Sequence, residues 1–551
     1  MKKYIASISI LTTATAFLVV SASGRASSSA GPDRRYVAGQ ILVTLRASAD
    51  AVTDADAGEF VAGVRAASFS RLTTGRQRAA LLVDLDPGTS VEEAVREASS
   101  DPRVEYAEPN YLIYPQLIPN DTSFPQEWQL YNNGFGTPGA DIDATRAWDL
   151  TTGSDDIVVA VVDTGVYLQH PDLAPNAWVN PREIPDNGID DDNDGFIDDV
   201  NGWNFVNGKP GTFDDPSSDS HATIVTGLIG AVGNNGIGIS GVAWHVKLMS
   251  VKFIGSQSGT TANAIKSINY VIDQKRRGTN VRVINASWGG PGDSSTLKQA
   301  IKDAGDAGIV FVCAAGNGGT DGVGDDLEEV QDFPSSWGTD VASIIAVAAL
   351  DSRDRLAGFS NYGHSVVHVG APGVNVYSTY VFDGYNYGTG TSFSAPLVSG
   401  IAALLLSREP GLSPVDVKER IVRTADPVAS LASKTLSSGR ANAYNALTNT
   451  IPHAPTKPVV GAVSTTKKVL TVDGIGFVRG QAIIEVDGTA LDVNVKFDNA
   501  FNLADGSGTR LTAKVGKAGI KSAFPEFQPV AITVFDPVTG ERSEPFFYAR
   551  P

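Results

Sequence analysis

A central parallel β-sheet wrapped by helices, preceded by a small α+β unit and followed by a β-sandwich, is the α/β architecture that this sequence predicts. Three observations carry it. Between about Gln129 and Leu447, short β-branched runs that are apolar at consecutive positions alternate with small-residue helical stretches, as strands buried on both faces require. Upstream, from about Tyr36 to Pro115, alternating strands flank one amphipathic helix. Downstream of the linker "TNTIPHAPTKP", short strands separated by Asp-Gly and Asp-Pro turns fill Val459 to Pro551. At 551 residues the chain exceeds one compact core, and roughly three or four folding units are expected.

The N-terminal stretch "MKKYIASISILTTATAFLVVSASG" has two lysines, an apolar run and small residues ending near "VSA". It reads as a signal peptide over residues 1–22: the run is short for a bilayer span and rich in threonine and serine. In the α+β unit, "QILVTL" (Gln40–Leu45) and "ALLVDL" (Ala80–Leu85) are strands and "RVEYAEPNYLIYP" is a last extended segment. "SVEEAVREA" is a helix whose Ser90 and Glu93 have capping-box spacing. In the large middle region, "IVVAVVDTG", "VKLMSVKF", "VRVINASWGG", "GIVFVCAAGN" and "IIAVAAL" are the sheet strands. In the last region "VLTVDGIGF", "AIIEVDG", "RLTAKV" and "VAITVFDPVTG" are the sandwich strands.

Composition narrows the functional classes. Lysine plus arginine number 43 against 61 acidic residues, a net charge of -18, which argues against nucleic acid or an anionic membrane surface as partner. No second apolar run of membrane length follows the first, so no membrane insertion is expected after signal removal. One cysteine, Cys313, excludes an internal disulfide framework, and it reads as a small buried apolar residue.

Reactive groups in open parallel sheets gather at the C-terminal ends of strands. Those ends carry Asp163, followed by Thr-Gly, and Asn317, closing "GIVFVCAAGN". Ser392 lies on the glycine-bearing turn "GTGTSFSAP" before an apolar helix, and His221 opens "SHATIVTGLIGA". A serine nucleophile, a histidine that carries its proton and an aspartate that fixes the imidazole form a three-part system, here in the chain order Asp, His, Ser.

Together "VVAVVDTGV", "SHATIVTG", "AAGN" and "GTSFSAPLVSG" resemble the motif set of the subtilisin-like serine proteases, the subtilases, over about three hundred residues. The resemblance implies a hydrolase with Asp163, His221 and Ser392 as triad and Asn317 in the oxyanion hole. It further implies that "ASWGG" and "CAAG" are the two walls of the substrate cleft, so that Ser287, Trp288, Gly289, Ala315 and Gly316 bind protein or peptide substrates. Such small-residue walls suggest broad preference for apolar or aromatic side chains before the scissile bond. One departure stands out: the family usually reads His-Gly-Thr-His where this chain reads His221-Ala222-Thr223-Ile224. The proton-carrying histidine is retained.

Acidic loops point to calcium. "DNGIDDDNDGFIDDVNGW" places Asp190, Asp192 and Asp194 at alternate positions with Gly195 next, the opening of an oxygen-ligand loop that Asp198 or Asp199 closes. A second site rests on resemblance alone: "NDTSF", "HPDL" and "GNNGIGISGVA" look like the high-affinity calcium site of subtilases. Carried over, Asp121, Asp172 and Asn235 give side-chain oxygens and Gly233, Ile237 and Ile239 give carbonyls. By the same resemblance, residues 36–115 form an inhibitory propeptide that acts as the enzyme's own partner, residues 120–448 the peptidase domain, and residues 459–551 an IPT/TIG-like domain.

The expectation is a secreted, calcium-dependent serine endopeptidase made as a self-processing zymogen and released extracellularly or held in the periplasm or at the cell surface. The competing reading is an exported binding or adhesion protein with a vestigial protease fold.

Overall fold

The computed structural model describes residues 36–46, 57–60, 65–72, 79–111, 117–256, 258–319, 321–452, 458–477, 482–491, 495–497, 508–535 and 542–550. The expected signal peptide lies outside the described residues. The chain divides into two compact units, the second starting at residue 113.

In the first unit, β1 (Tyr36–Leu45), β2 (Ala66–Arg71), β3 (Ala79–Leu85) and β4 (Val104–Tyr111) form an antiparallel sheet in the order β2-β3-β1-β4. Alternate residues Ile41, Val43, Leu81 and Val83 meet Ala94 and Ala98 of α1 (Val91–Ser100) in one apolar core. The Glu93 amide donates to Ser90 Oγ at 3.4 Å as a capping box requires, while the Glu93 carboxylate pairs with Arg65 at 2.9 Å. Strand β2 has no counterpart in the sequence reading because "AASFSR" carries a single large apolar residue, Phe69.

The second unit is built on a nine-stranded sheet. Its central strands are β5 (Gly153–Asp163), β7 (His245–Lys252), β8 (Val281–Ala286), β9 (Val310–Ala314) and β10 (Ile344–Leu350), all parallel. Strand β6 (Gly202–Asn204) forms one edge, and β11 (Val369–Pro372) follows β10 in the order β11-β10-β9-β8-β5-β7-β6. The continuous apolar runs follow from the pleat, which sends successive side chains to opposite faces. Val159, Val161 and Val312 enter one core with helices α2 (Pro216–Gly230) and α5 (Thr391–Arg408). Their neighbours Val158, Ala160 and Phe311 enter the other with α3 (Thr261–Arg276) and α4 (Ser295–Asp306). Two filled cores around one sheet leave no face for water.

Helix α5 is long and apolar enough to cross a membrane, yet it is buried in this fold and apolar all round because neighbours cover every side. Ile224 explains the departure in the histidine motif: it is 7% exposed and packs in the first core. An apolar side chain suits that position better than a second imidazole.

Beyond residue 458, β16 (Val459–Thr465), β17 (Val469–Phe477), β20 (Val495–Phe497) and β21 (Gly508–Lys514) form one four-stranded sheet. A second contains β18 (Ile483–Val486), β19 (Thr489–Ala490), β22 (Pro529–Phe535) and β23 (Phe546–Ala549). Leu470, Val472 and Leu511 from the first meet Ile484, Ile532 and Val534 from the second, which makes this region a sandwich. It also holds α6 (Gly516–Ala523), whose Ile520 is buried, an element that the strand-only reading lacked. Of the linker, residues 453–457 lie outside the described residues.

Candidate active site

Strand β5 lies between β7 and β8, so the chain leaves it on one side and returns on the other. That reversal opens a crevice at the strand ends, and Asp163 is the last residue of β5. Its carboxylate is fully buried. Oδ1 accepts from the Thr164 amide at 2.6 Å and lies 2.9 Å from His221 Nδ1. Oδ2 is buried without a hydrogen-bond partner.

His221 sits in the second turn of α2, which Asp215 caps by accepting from the Ser217 amide at 3.1 Å. The ring is partly exposed on its other side. Burial disfavours the imidazolium, but the charge and hydrogen bond of Asp163 outweigh it, so the ring titrates above the ordinary histidine value of 6.5. With Nδ1 committed to a carboxylate, the neutral ring carries its lone pair on Nε2.

Ser392 is the second residue of α5. Pro396, four residues on, has no N–H to bond the Ser392 carbonyl, and that freed carbonyl accepts from Ser287 Oγ at 2.7 Å. Ser392 Oγ donates to the Ser287 carbonyl at 3.1 Å. The ring of Phe393, the next residue, lies 5.4 Å from that of His221. The serine is therefore tied to one predicted cleft wall with its hydroxyl turned to that wall, and the residue after it packs near the histidine ring.

Asn317 follows β9. Its Oδ1 accepts from the Thr391 amide at 2.8 Å and from Thr391 Oγ1 at 2.9 Å. Both bonds use the oxygen, which leaves Nδ2 as the free donor end. Gly390, at φ +150°, turns the chain into α5 beside this carboxamide.

The two predicted walls converge on the serine. Ser287 is bonded to Ser392 in both directions, and the Gly316 amide donates to Thr391 Oγ1 at 3.1 Å. Trp288 Nε1 donates to the Val162 carbonyl at 2.8 Å, and Gly289 and Gly316 pack so closely on Asp332 that a Cβ at either would clash. Ala315 differs from expectation. It is fully buried, its methyl packs with Leu327, Ala348 and Val367, and Ser335 Oγ holds its carbonyl at 3.3 Å. It backs the wall rather than lining it.

The acidic loop brings Asp190 and Asp192 of the predicted set together with Glu183. Oxygens of Glu183, Asp190 and Asp192 all lie within 4.8 Å of one another; Asp192 Oδ2 accepts from Arg182 Nε at 3.0 Å, and its buried Oδ1 lies 3.7 Å from Arg277 Nη1. Asp194 and Asp199 are engaged elsewhere: Asp194 accepts from Gln274 and the Phe196 amide, and Asp199 accepts from Tyr270, Gln274 and Asn180. Burial pushes Asp194 to about 6 and Asp199 to about 7.

At the second expected cation site, Asp121 accepts from the amides of Asn234 (2.7 Å), Asn235 (2.9 Å) and Gly236 (3.2 Å), and from Ser240 Oγ. Asp172 accepts from Asn235 Nδ2, the Ile239 amide and Tyr385 Oη. Asn235 Oδ1 accepts from the Ile237 amide. Gly233 lies at the start of the same loop, its Cα against the Trp244 ring. A third acid, Glu127, is buried beside them with Oε1 unpartnered; burial, then the charges of Asp121 and Asp172, push its carboxyl well up. Among the described residues these three carboxylates do not bring their oxygens within 4.8 Å of one another as Glu183, Asp190 and Asp192 do, and Asn235 turns Nδ2 rather than Oδ1 toward Asp172.

Four residues here escaped the sequence reading, Glu127 at the second site being the first. Glu183 precedes the alternating run. Lys252, at the end of β7, is buried on Asp219, two residues before His221, and on Asp214 at 2.8 Å. Thr391 orients Asn317.

Residues 154–457 match the Subtilase family, and residues 23–110 match the fervidolysin N-terminal prodomain. A thermophilic serine proteinase of Bacillus sp. (strain AK1) is 35% identical over 65% of this chain and 76% of its own length. Thermitase of Thermoactinomyces vulgaris is 34% identical over 56% of this chain and 93% of its own. An extracellular basic protease of Dichelobacter nodosus is 32% identical over 64% and 59% respectively.

Proposed function

This chain belongs to the subtilase family and is a subtilisin-like serine endopeptidase with a prodomain, and from that premise we propose that Asp163, His221 and Ser392 carry its chemistry. The observation that supports this most directly is the 2.9 Å contact of His221 Nδ1 with the buried Asp163 carboxylate, on an imidazole packed near Phe393, the residue after Ser392. Rotation about χ1 frees Ser392 Oγ from the Ser287 carbonyl. Oγ then attacks the peptide carbonyl while His221 Nε2 takes its proton. Asp163 holds the tautomer and stabilises the imidazolium, and His221 returns the proton to the leaving amine as the C–N bond breaks; a water deprotonated by His221 then cleaves the acyl–Ser392 ester and restores the hydroxyl. Charge developing on the carbonyl oxygen is met by Asn317 Nδ2 and the Ser392 amide at the positive end of α5.

The finer reading is a secreted, calcium-supported enzyme whose first unit is an inhibitory propeptide removed by self-cleavage between about Asn110 and Asn120. Extracellular naming of a relative supports secretion. Glu183, Asp190 and Asp192 are the residues read as holding one calcium ion, and Asp121, Asp172 and Asn235, with carbonyls of the 233–239 loop, another. Bound calcium supplies positive charge to carboxylates that otherwise repel. Residues 459–551 are read as an IPT/TIG-like module.

Hydrolysis of casein by purified protein beside Ser392→Ala, with phosphonate labelling of Ser392, tests the reading. Loss of activity and label, with a precursor that keeps residues 36–115, is expected. An active, processed Ser392→Ala protein sinks it, and an unlabelled, inactive wild type supports the adhesion reading.

A further inference from the structure

The floor between the two cleft walls carries a charge that neither wall announces. The segment from Asp332 to Ser336 spans the gap: Phe333 and Gly290 exchange backbone bonds of 2.8 and 3.0 Å, and Ser335 Oγ reaches the Ala315 carbonyl. At the start of this segment the Asp332 carboxylate lies directly behind a glycine of each wall. A Cβ on Gly289 would stand 2.9 Å from Asp332 Oδ1, and a Cβ on Gly316 2.5 Å from Asp332 Oδ2. Side chains at these two positions would collide with the carboxylate, and at Gly316 also with Asn361 Nδ2 at 2.3 Å, so only glycine lets both walls approach Asp332 this closely.

Among the described residues, Asp332 Oδ1 is buried with no hydrogen-bond partner, and no cationic side chain contributes to the carboxylate's electrostatics. Burial and the nearby charge of Asp325 push its carboxyl above the usual range, only partly eased by the amides of Gly290 and Phe333. A desolvated, unpaired carboxylate is costly unless something pairs with it. The walls in front of it are bonded to Ser392 and Thr391, so the space they enclose adjoins the nucleophile.

We propose that Asp332 is a specificity-determining residue, selecting a lysine or arginine side chain at the substrate position immediately before the scissile bond. The inference rests on the serine-endopeptidase reading and narrows its substrate class, against the apolar preference that small-residue walls alone suggest. A long cationic side chain passes between Gly289 and Gly316 and ends on the carboxylate, burying its methylenes along the walls. Residues 104–120 contain no lysine or arginine. Self-cleavage in that connector is intramolecular, and effective concentration there offsets a poor side chain.

The test uses tetrapeptide nitroanilides that differ only in Arg, Lys, Phe or Ala before the scissile bond. Rates are expressed per active site titrated by a phosphonate on Ser392. The wild type should favour Arg or Lys over Phe by at least tenfold in kcat/KM. Asp332→Asn should lower that ratio at least tenfold, and Asp332→Glu should restore most of it. A wild type that favours Phe, or a ratio unmoved in Asp332→Asn, overturns the inference while leaving the protease reading intact. If Asp332→Asn does not fold, the wild-type ratio decides alone. Failure to hydrolyse any substrate with Ser392 unlabelled overturns both readings together.

Discussion

Thr391 holds Asn317 by its carboxamide oxygen through two bonds, 2.8 Å from its amide and 2.9 Å from its hydroxyl. This double tether fixes which end of an otherwise ambiguous side chain faces the nucleophile. Asn317→Ala should therefore cost roughly 10²–10³ in kcat with little change in KM, the usual effect of losing one oxyanion donor. Thr391→Val keeps the backbone bond but loses the hydroxyl, and a fall of about tenfold is expected from looser orientation. Steady-state kinetics on one chromogenic peptide measure both. A KM effect without a kcat effect places Asn317 in ground-state binding instead.

The second prediction concerns pH. A protonated His221 cannot accept the serine proton, so kcat/KM should fall as pH drops through the His221 pKa. Asp163 sets that limb above the ordinary histidine value by opposing the effect of burial. Asp163→Asn removes the charge and leaves burial unopposed, so the acid limb should move to lower pH. The plateau should drop about 10⁴-fold because the amide favours the wrong tautomer. A limb that stays in place assigns the titration to another group.

Much of this site was legible because its signals are local. A strand end with Asp-Thr-Gly, a helix start with histidine and a glycine-bearing turn before an apolar helix each lie within a few consecutive residues. What escaped depends on distant segments meeting. Asp194 and Asp199 look like loop ligands in sequence, yet Gln274 reaches them from α3, 80 and 75 residues on. Asp332 reads as an ordinary loop acid until the Gly290–Phe333 pairing puts it under the cleft. Lys252 reads as the polar end of a strand, and only the fold shows it to be buried. Alternating apolar patterns report burial of whole elements, and they carry no information about which charge finds which partner.

Cation binding gives a third prediction. A ligand that binds only the folded state stabilises by about 2.7 kcal/mol at a hundred times its dissociation constant. Calcium should raise the melting midpoint of the Ser392→Ala protein by several degrees over chelator, and sodium at equal ionic strength should not. Glu183→Gln and Asp192→Asn should each shrink the calcium response, whereas Asp199→Asn should leave it, since Asp199 is engaged by Tyr270, Gln274 and Asn180. Coincident curves in calcium, chelator and salt remove both cation assignments.

The last prediction concerns the buried pair beneath the site. Lys252 is 1% exposed and Asp219 fully buried. Asp219 Oδ1 accepts from the Gly165 amide at 2.9 Å, and its Oδ2 from the amides of Asp214 and Asp215 at 2.9 and 3.0 Å. One carboxylate thus joins the turn after Asp163 to the start of the helix that carries His221, and Lys252 neutralises it. Lys252→Met strands that charge in a site where only amides and the Ser218 hydroxyl remain to solvate it, and about 3–5 kcal/mol of stability should be lost. Adding Asp219→Asn removes the stranded charge and should recover part of that loss, which a simple packing defect at residue 252 does not predict. Urea unfolding of the Ser392→Ala background measures both variants without autolysis. In the active background, any folded Lys252→Met protein should lose kcat more than KM, because the pair positions Asp163 and His221 without touching substrate. A single-variant loss below about 1 kcal/mol shows that water or a rearranged side chain replaces the lysine. In that case the Gly165 turn holds the triad without the ion pair.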